Sequence, residues 1–458
     1  LEKSLQVMLD GTYDKMLHYA HNLKSPITVL HMLGVILPIL GLVMFPMIGS
    51  FLSGLVKWYH LAFLYNLVLP FLVLYLGNSM LNTRPTGSGE NDILLQHPDM
   101  KRYQTLANGM SPLPVTLSII SLFCILGLIP VYVYFFSPDF DFPFFGGTFF
   151  DFKGGNGPYG AGALFLSLLI PLGLSLGLGF YYWVKSRKLV AFKQKTDALE
   201  IEFSGALFQL GNRIGDGIPA EAAFGDVSQQ MQGTPTGDFF RIINMNVRNA
   251  GMSIKDAIFH PQRGALLFFP SALIESTMKV LIESAKKGSQ IVSKSLLTIS
   301  DYVTRIYRIN ERLKDLLADV LSSMTSQITF LTPLIAGIVV GVGSMVVTII
   351  NKLGEQFATL DNPEQGLTGG ISALASVLDI KDVIPSYYFQ LVVGIYVVQI
   401  TIILTLLSTR IERGYDQTTT HQRLSKNLLT AGILYFLVSF IGIIVFTLLA
   451  NTVSFVGA

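Results

Sequence analysis

The side chains best placed to do chemistry are basic ones late in a long polar stretch: Lys286, Lys287, Lys294, Arg305, Arg308, Arg312 and Lys314. Together they could grip an acidic protein face. Asp301, Glu311 and Asp315 lie among them, and the same pattern equally suits a solvated, self-paired helix surface. Arg410, Arg413 and Arg423 in a later loop either extend that face or only fix topology. Other chemistries find little material. His18 and His21 sit one helical turn apart but lack a third metal ligand. His31 opens an apolar run and reads as a packing residue. Cys124, the single cysteine, excludes an intramolecular disulfide framework. There is no H-E-x-x-H and no Walker-type G-x-x-x-x-G-K-[ST] loop, and Gly177 and Gly179 fall inside an apolar run rather than between strand and helix. The expectation is a protein with no catalytic set, cofactor or metal, and, at net charge +2, no nucleic-acid partner.

The elements that must carry these residues are set by composition. Of 458 residues, 51% are hydrophobic and only 14% charged, against about a quarter charged in soluble proteins. Mean hydropathy is +0.53. Apolar runs long enough to span a bilayer occupy 27–50, 59–79, 115–136, 161–184, 328–350, 387–409 and 429–450. None has Asp, Glu, Lys or Arg near its middle, which weighs against an ion-coupled transporter. A transporter built from repeats remains the alternative, with Gln390 and Gln399 the only polar candidates in their helix. Loop 137–160 carries Asp139, Asp141 and Asp151 against Lys153, and loop 353–386 carries Glu355, Asp361, Glu364, Asp379 and Asp382 against Lys381. Loop 410–428 is basic. The positive-inside rule then puts 1–26, 80–114, 185–327 and 410–428 inside and the C-terminus outside, without conflict over seven crossings.

The polar stretch 185–327 reads as a helical bundle. YYWVKSRKLVAFKQK marks a helix leaving the membrane inward. GIPAEAAF (217–224) and GMSIKDAI (251–258) share one punctuation: Gly217 and Gly251, an apolar residue, then a helix starter, Pro219 or Ser253. TISDYVTRIYRINERLKDLLADVLSSM places Val303, Ile306, Ile309, Leu313, Leu316 and Val320 on one face. That helix runs into SQITFL (326–331). An earlier amphipathic stretch, residues 1–24, runs into SPITVL (25–30). The simplest account is duplication of one unit, a helical bundle followed by a membrane helix, with only the end of the first bundle present; the alternative is a chance match, since Ser and Thr are common at helix entries.

LGNRIGDGIPAEAAF (210–224), RNAGMSIKDAI (248–258) and SSMTSQITFLTPLIAGIVVG (322–341) resemble the type II secretion F / TadC family, most closely the archaeal platform proteins of archaella and type IV pili. The resemblance covers about two thirds of the chain. It implies an all-α polytopic membrane protein whose domains are 1–26 (end of a first cytoplasmic bundle), 27–184 (four membrane helices), 185–327 (cytoplasmic bundle) and 328–458 (three membrane helices). It also implies a non-enzymatic assembly platform in the cytoplasmic membrane, partnered by a hexameric secretion ATPase and by pilin or archaellin subunits; the duplication adds the expectation of a two-fold arrangement of bundles, within one chain or in a homodimer. Family members have a complete first bundle; the chain opens LEKSLQ and reads as a piece of a longer one. Gly217, Pro219, Gly251 and Ser253 are then expected to set bundle geometry. Gly337 and Gly341, a G-x-x-x-G in the fifth membrane helix, offer a close helix contact, within the chain, between copies or to a pilin helix. Pro38, Pro46, Pro171 and Gly173 could loosen membrane helices. The phenylalanine-rich loop 137–160 is expected at the outer interface, and 366–380 as a short surface helix.

Overall fold

The computed structural model describes residues 11, 14, 15, 17, 18, 22, 23, 25–30, 32–38, 40–42, 44, 57–81, 111–137, 140–144, 147–152, 157–360 and 384–452. His21, His31, Pro46, all of 82–110 and the stretch expected as a surface helix at 366–380 lie outside the described residues.

Among the described residues, seven helices are long and apolar enough to cross a membrane. They are α1 Ser25–Leu42, α2 Trp58–Leu81, α3 Leu113–Phe136, the pair α4 Ala161–Ser167 and α5 Leu169–Gly215, α11 Ser289–Ser326 running into α12 Thr332–Leu360, α13 Ser386–Arg413, and α14 Gln417–Thr452. The chain is an all-α polytopic membrane protein. Its only strands among the described residues are β1 Pro143–Phe144 and β2 Gly147–Thr148, a small antiparallel hairpin between α3 and α4 that the sequence pattern does not announce.

Helix α13 is the axis of the membrane part. Tyr387, Phe389, Val392, Val393, Tyr396, Val397, Ile400, Leu404 and Leu407 are buried along it, and α2, α4, α5, α12 and α14 pack around it. Helix α3 lies at the periphery, with Leu117, Leu122, Ile125, Phe135 and Phe136 exposed as expected of a lipid-facing surface. Prolines in this layer free backbone carbonyls that water cannot reach. Pro38 offers no N–H to the carbonyl of Gly34, four residues earlier, and that oxygen accepts the buried Tyr396 hydroxyl. Beside Pro130, the carbonyl of Gly127 accepts the Tyr387 hydroxyl at 2.7 Å. Both donors come from α13: one meets the carbonyl that Pro38 leaves without its α-helical donor, the other a carbonyl one residue after the one Pro130 leaves.

Between α5 and α12 lies a helical bundle: the distal half of α5, then α6 Ala220–Gln230, α7 Pro235–Arg248, α8 Ile254–Phe259, α9 Ala265–Phe268, α10 Ala272–Ala285 and the first half of α11. Its core centres on Phe203, Phe224, Phe239 and Phe240, all fully buried. The Phe239 and Phe240 rings meet edge-on at 5.3 Å, and Phe224 stacks on Phe240 at 5.9 Å. Each such ring contributes about 1.5–3 kcal/mol through burial.

No loop separates bundle from membrane. Helix α5 runs 47 residues without interruption, about 70 Å at 1.5 Å per residue. Helix α11, 38 residues long, continues into α12 through one π-helical turn, Gln327–Leu331. The expected boundaries at 184/185 and 327/328 are therefore positions along continuous helices, not chain breaks.

The opposite end is capped by the aromatic loop. The Asp141 carboxylate accepts N–H groups from Phe142 and Phe150 at 2.9 Å and from Asp151 at 2.7 Å. This cage folds the loop so that Phe142 stacks on Phe149 at 4.6 Å and Phe150 packs with Ala163 and Tyr387.

Replacing Tyr396 by Phe removes the donor to Gly34 and leaves that carbonyl unsatisfied in an apolar layer. The expected cost is about 1–3 kcal/mol, read as a lower thermal-unfolding midpoint in detergent. Tyr75→Phe, at an exposed site on α2, serves as the control and leaves the midpoint in place.

Candidate functional site

The segments that the charge rule puts on one side do meet there. Leu23 and Ile27, at the SPITVL boundary, cluster with Leu313, Leu317 and Met324, which lead into SQITFL, and with Ile411, Met80 and Leu81. The two similar boundaries thus pack as neighbours at one level of the molecule. Segments assigned to the other side also gather: Trp58 stacks on Tyr388 at 4.7 Å, and Tyr159 clusters with Val347 and Ile350.

At the bundle-side level α5 is tied to the α13–α14 turn by buried charge. The Lys193 ammonium donates to Asp416 Oδ2 at 2.6 Å, with side chains 10% and 0% exposed. Asp416 precedes α14 and caps it: Oδ1 accepts the Thr419 N–H at 3.1 Å, and Oδ2 accepts the Thr419 hydroxyl. Burial pushes the Asp416 carboxyl up, but the Lys193 ammonium and the two Thr419 donors outweigh it and hold the group below its ordinary value. Further along the contact between α5 and α14, Tyr182 stacks on His421 at 5.2 Å. Lysine 193 had been read only as a positive-inside charge; its partner is 223 residues away and has no local signal.

The expected docking cations divide into two sets. Lys286 donates to Glu283 at 2.8 Å, and Arg305 to Asp301 at 2.9 Å. Arg413 reaches Asp197 at 3.5 Å and Glu412 at 3.7 Å, while Glu412 also holds Arg423. Arg410 lies over the Tyr415 ring at 5.0 Å and reaches Asn78 at 3.4 Å. These are engaged inside the chain. Lys287, Lys294, Arg308, Arg312 and Lys314 are exposed and have no carboxylate partner among the described residues. Arg308 and Arg312 stand one turn apart on α11, above the junction.

The paired glycine motifs fall at the same, membrane-distal end of the bundle. Gly217 has φ +88° and Gly251 φ +61°, conformations that side chains rarely adopt. Ser253 caps α8 by accepting the Asp256 N–H at 3.1 Å. Pro219 is the residue just before α6, one position earlier than a first-turn proline. Gly337 and Gly341 face α14. A Cβ on Gly337 would lie 2.8 Å from Val438 Cγ1, and one on Gly341 3.0 Å from the Gly442 carbonyl carbon. The G-x-x-x-G face is used inside the chain.

Of the transport candidates, Gln390 is buried and donates to the Tyr435 hydroxyl at 3.3 Å. Gln399 Oε1 is buried without a hydrogen-bond partner among the described residues. His18 is exposed, and no three His, Cys, Asp or Glu side chains converge among the described residues. No family model matches the chain, nor does any curated protein or solved structure.

Asp416→Asn keeps a capping oxygen but removes the charge facing Lys193, and is expected to cost about 3 kcal/mol or more in detergent unfolding. Adding Lys193→Met to it recovers most of that loss. Because the folded carboxyl titrates low, the pair's contribution is fully present above about pH 4 and is lost as pH falls through the lowered pKa. The stability gap between wild type and Asp416→Asn should stay level from about pH 8 to 5 and close only below about pH 4.

Proposed function

We propose that the chain is the assembly platform of a type IV pilus-like or archaellum machine, a member of the type II secretion F / TadC class. In this reading it sits in the cytoplasmic membrane with the bundle in the cytoplasm, where a hexameric secretion ATPase engages it. The observation that supports the reading best is mechanical: α5 and the α11–α12 helix run unbroken from bundle to membrane. A torque on the bundle would be delivered directly to the helices around α13, rather than dissipated in a linker. The basic residues at the bundle-side boundary, Lys185, Arg187, Lys188 and Lys426, favour a cytoplasmic bundle. The C-terminus is then outside. Pilin or archaellin subunits would meet the membrane part, and ATP would be spent by the partner.

Of the five candidate cations that are exposed without a carboxylate partner among the described residues, Arg308 and Arg312 are the two arginines, one turn apart on α11, and are the docking residues this reading selects. The full chain in detergent is expected to bind the cognate secretion ATPase saturably and change its turnover. Arg308→Glu with Arg312→Glu should weaken that binding by roughly tenfold or more. Lys286→Glu, at a site already paired with Glu283, should change it little. A folded full chain that neither binds nor alters turnover would reject the platform reading.

A further inference from the structure

We infer that the bundle-side boundary carries a binding collar for anionic lipid headgroups, built on α5 and α14. The charge ledger at this level is unbalanced. Between residues 185 and 197 the only acid is Asp197, and between 410 and 428 the only acids are Glu412 and Asp416. All are engaged: Asp197 by Arg413, Glu412 by Arg413 and Arg423, and Asp416 by Lys193. Lys185, Arg187, Lys188, Lys195 and Lys426 remain, with no carboxylate partner among the described residues, and all but Lys195 lie within one helical turn of an apolar run. Arg187, Lys188 and Lys426 are exposed.

Their depth matches a phosphate layer. Lys185, Arg187 and Lys188 follow directly on the apolar part of α5, and Lys426 comes just before that of α14. Headgroup regions add about 7 Å beyond the hydrocarbon on each side, the reach of one helical turn plus a long side chain. Aromatic rings hold two of these cations at that level. The Arg187 guanidinium lies 4.9 Å from the Trp183 ring centroid, and the Lys185 ammonium 5.1 Å from that of Tyr181. Trp183 is 43% exposed and marks the interface itself. A guanidinium stacked on a ring keeps its planar edge free to bind two phosphate oxygens. Soluble acidic proteins would meet the collar only at the membrane surface, whereas phosphodiester headgroups occupy that depth continuously. The assignment requires only that these helices span a bilayer and does not depend on the platform reading.

Trp183 supplies the probe, since the chain has only two tryptophans and the other, Trp58, is at the opposite end. The full chain carrying Trp58→Phe, which keeps a ring against Tyr388, is reconstituted into phosphatidylcholine vesicles. Quenching of Trp183 is then compared for brominated phosphatidylglycerol and brominated phosphatidylcholine. The expected result is an apparent preference of about fivefold or more for the anionic lipid, weakened at high salt. Arg187→Gln with Lys188→Gln and Lys426→Gln should abolish it, while Arg308→Gln with Arg312→Gln, far up α11, should leave it intact. Equal quenching by the two lipids, or a preference that survives in the triple variant, overturns the inference. Loss of the preference in millimolar inorganic phosphate would make the collar a soluble-phosphate site and would also overturn it.

Discussion

Backbone hydrogen bonding in an apolar medium governs everything else in this molecule. A chain that crosses lipid has no water to satisfy its N–H and C=O groups, so it crosses as helix, and a helix already formed can be extended into water at little cost. Helices α5 and α11–α12 use that economy: the hydrogen-bonded ladder required by the membrane becomes the frame of the helical bundle. Where Pro38 interrupts the ladder, α13 supplies the Tyr396 hydroxyl to the Gly34 carbonyl, and beside Pro130 its Tyr387 hydroxyl bonds the Gly127 carbonyl.

Charge is handled differently at each level. Deep in the membrane layer the chain keeps no ion pair among the described residues and uses amide and hydroxyl groups, such as Gln390 with Tyr435. At the bundle-side boundary it buries one pair, Lys193 with Asp416, where the helix cap supplies extra donors to the carboxylate. A buried pair of this kind gives little net stability over apolar packing, but it penalises any arrangement in which the two partners separate. It therefore fixes the rotation of α5 against the start of α14. Further out, on α11, ion pairs are local and exposed, and contribute little.

The sequence made the seven spans, their alternation and the bundle legible because length and hydropathy are local properties. Gly217 and Gly251 were legible for a similar reason: few residues other than glycine suit a left-handed turn before a helix start. The self-pairing of Arg305 with Asp301 follows a four-residue spacing that helices favour, and could have been read directly. Lys193 with Asp416, and the tyrosine hydroxyls on distant carbonyls, could not, because their partners are set by tertiary packing. The aromatic loop falls between: its phenylalanines announced an apolar surface, but the organising group is Asp141, counted in the sequence only as an outside charge.

The π-helical turn at Gln327–Leu331 has a consequence for phase. Each residue advances an α-helix by about 100°, and a π turn accommodates one more residue than the α-helical path would. Buried positions on α11, such as Leu313, Leu317 and Met324, must point at protein in the bundle and at the boundary, while those on α12, such as Ala336, Val339 and Val340, must point inward within lipid. The wider turn is where the two angular registers are reconciled. Were the same residues wound as plain α-helix instead, α12 would be turned by roughly a quarter of a revolution against α11, and the buried faces of the two would no longer both meet protein.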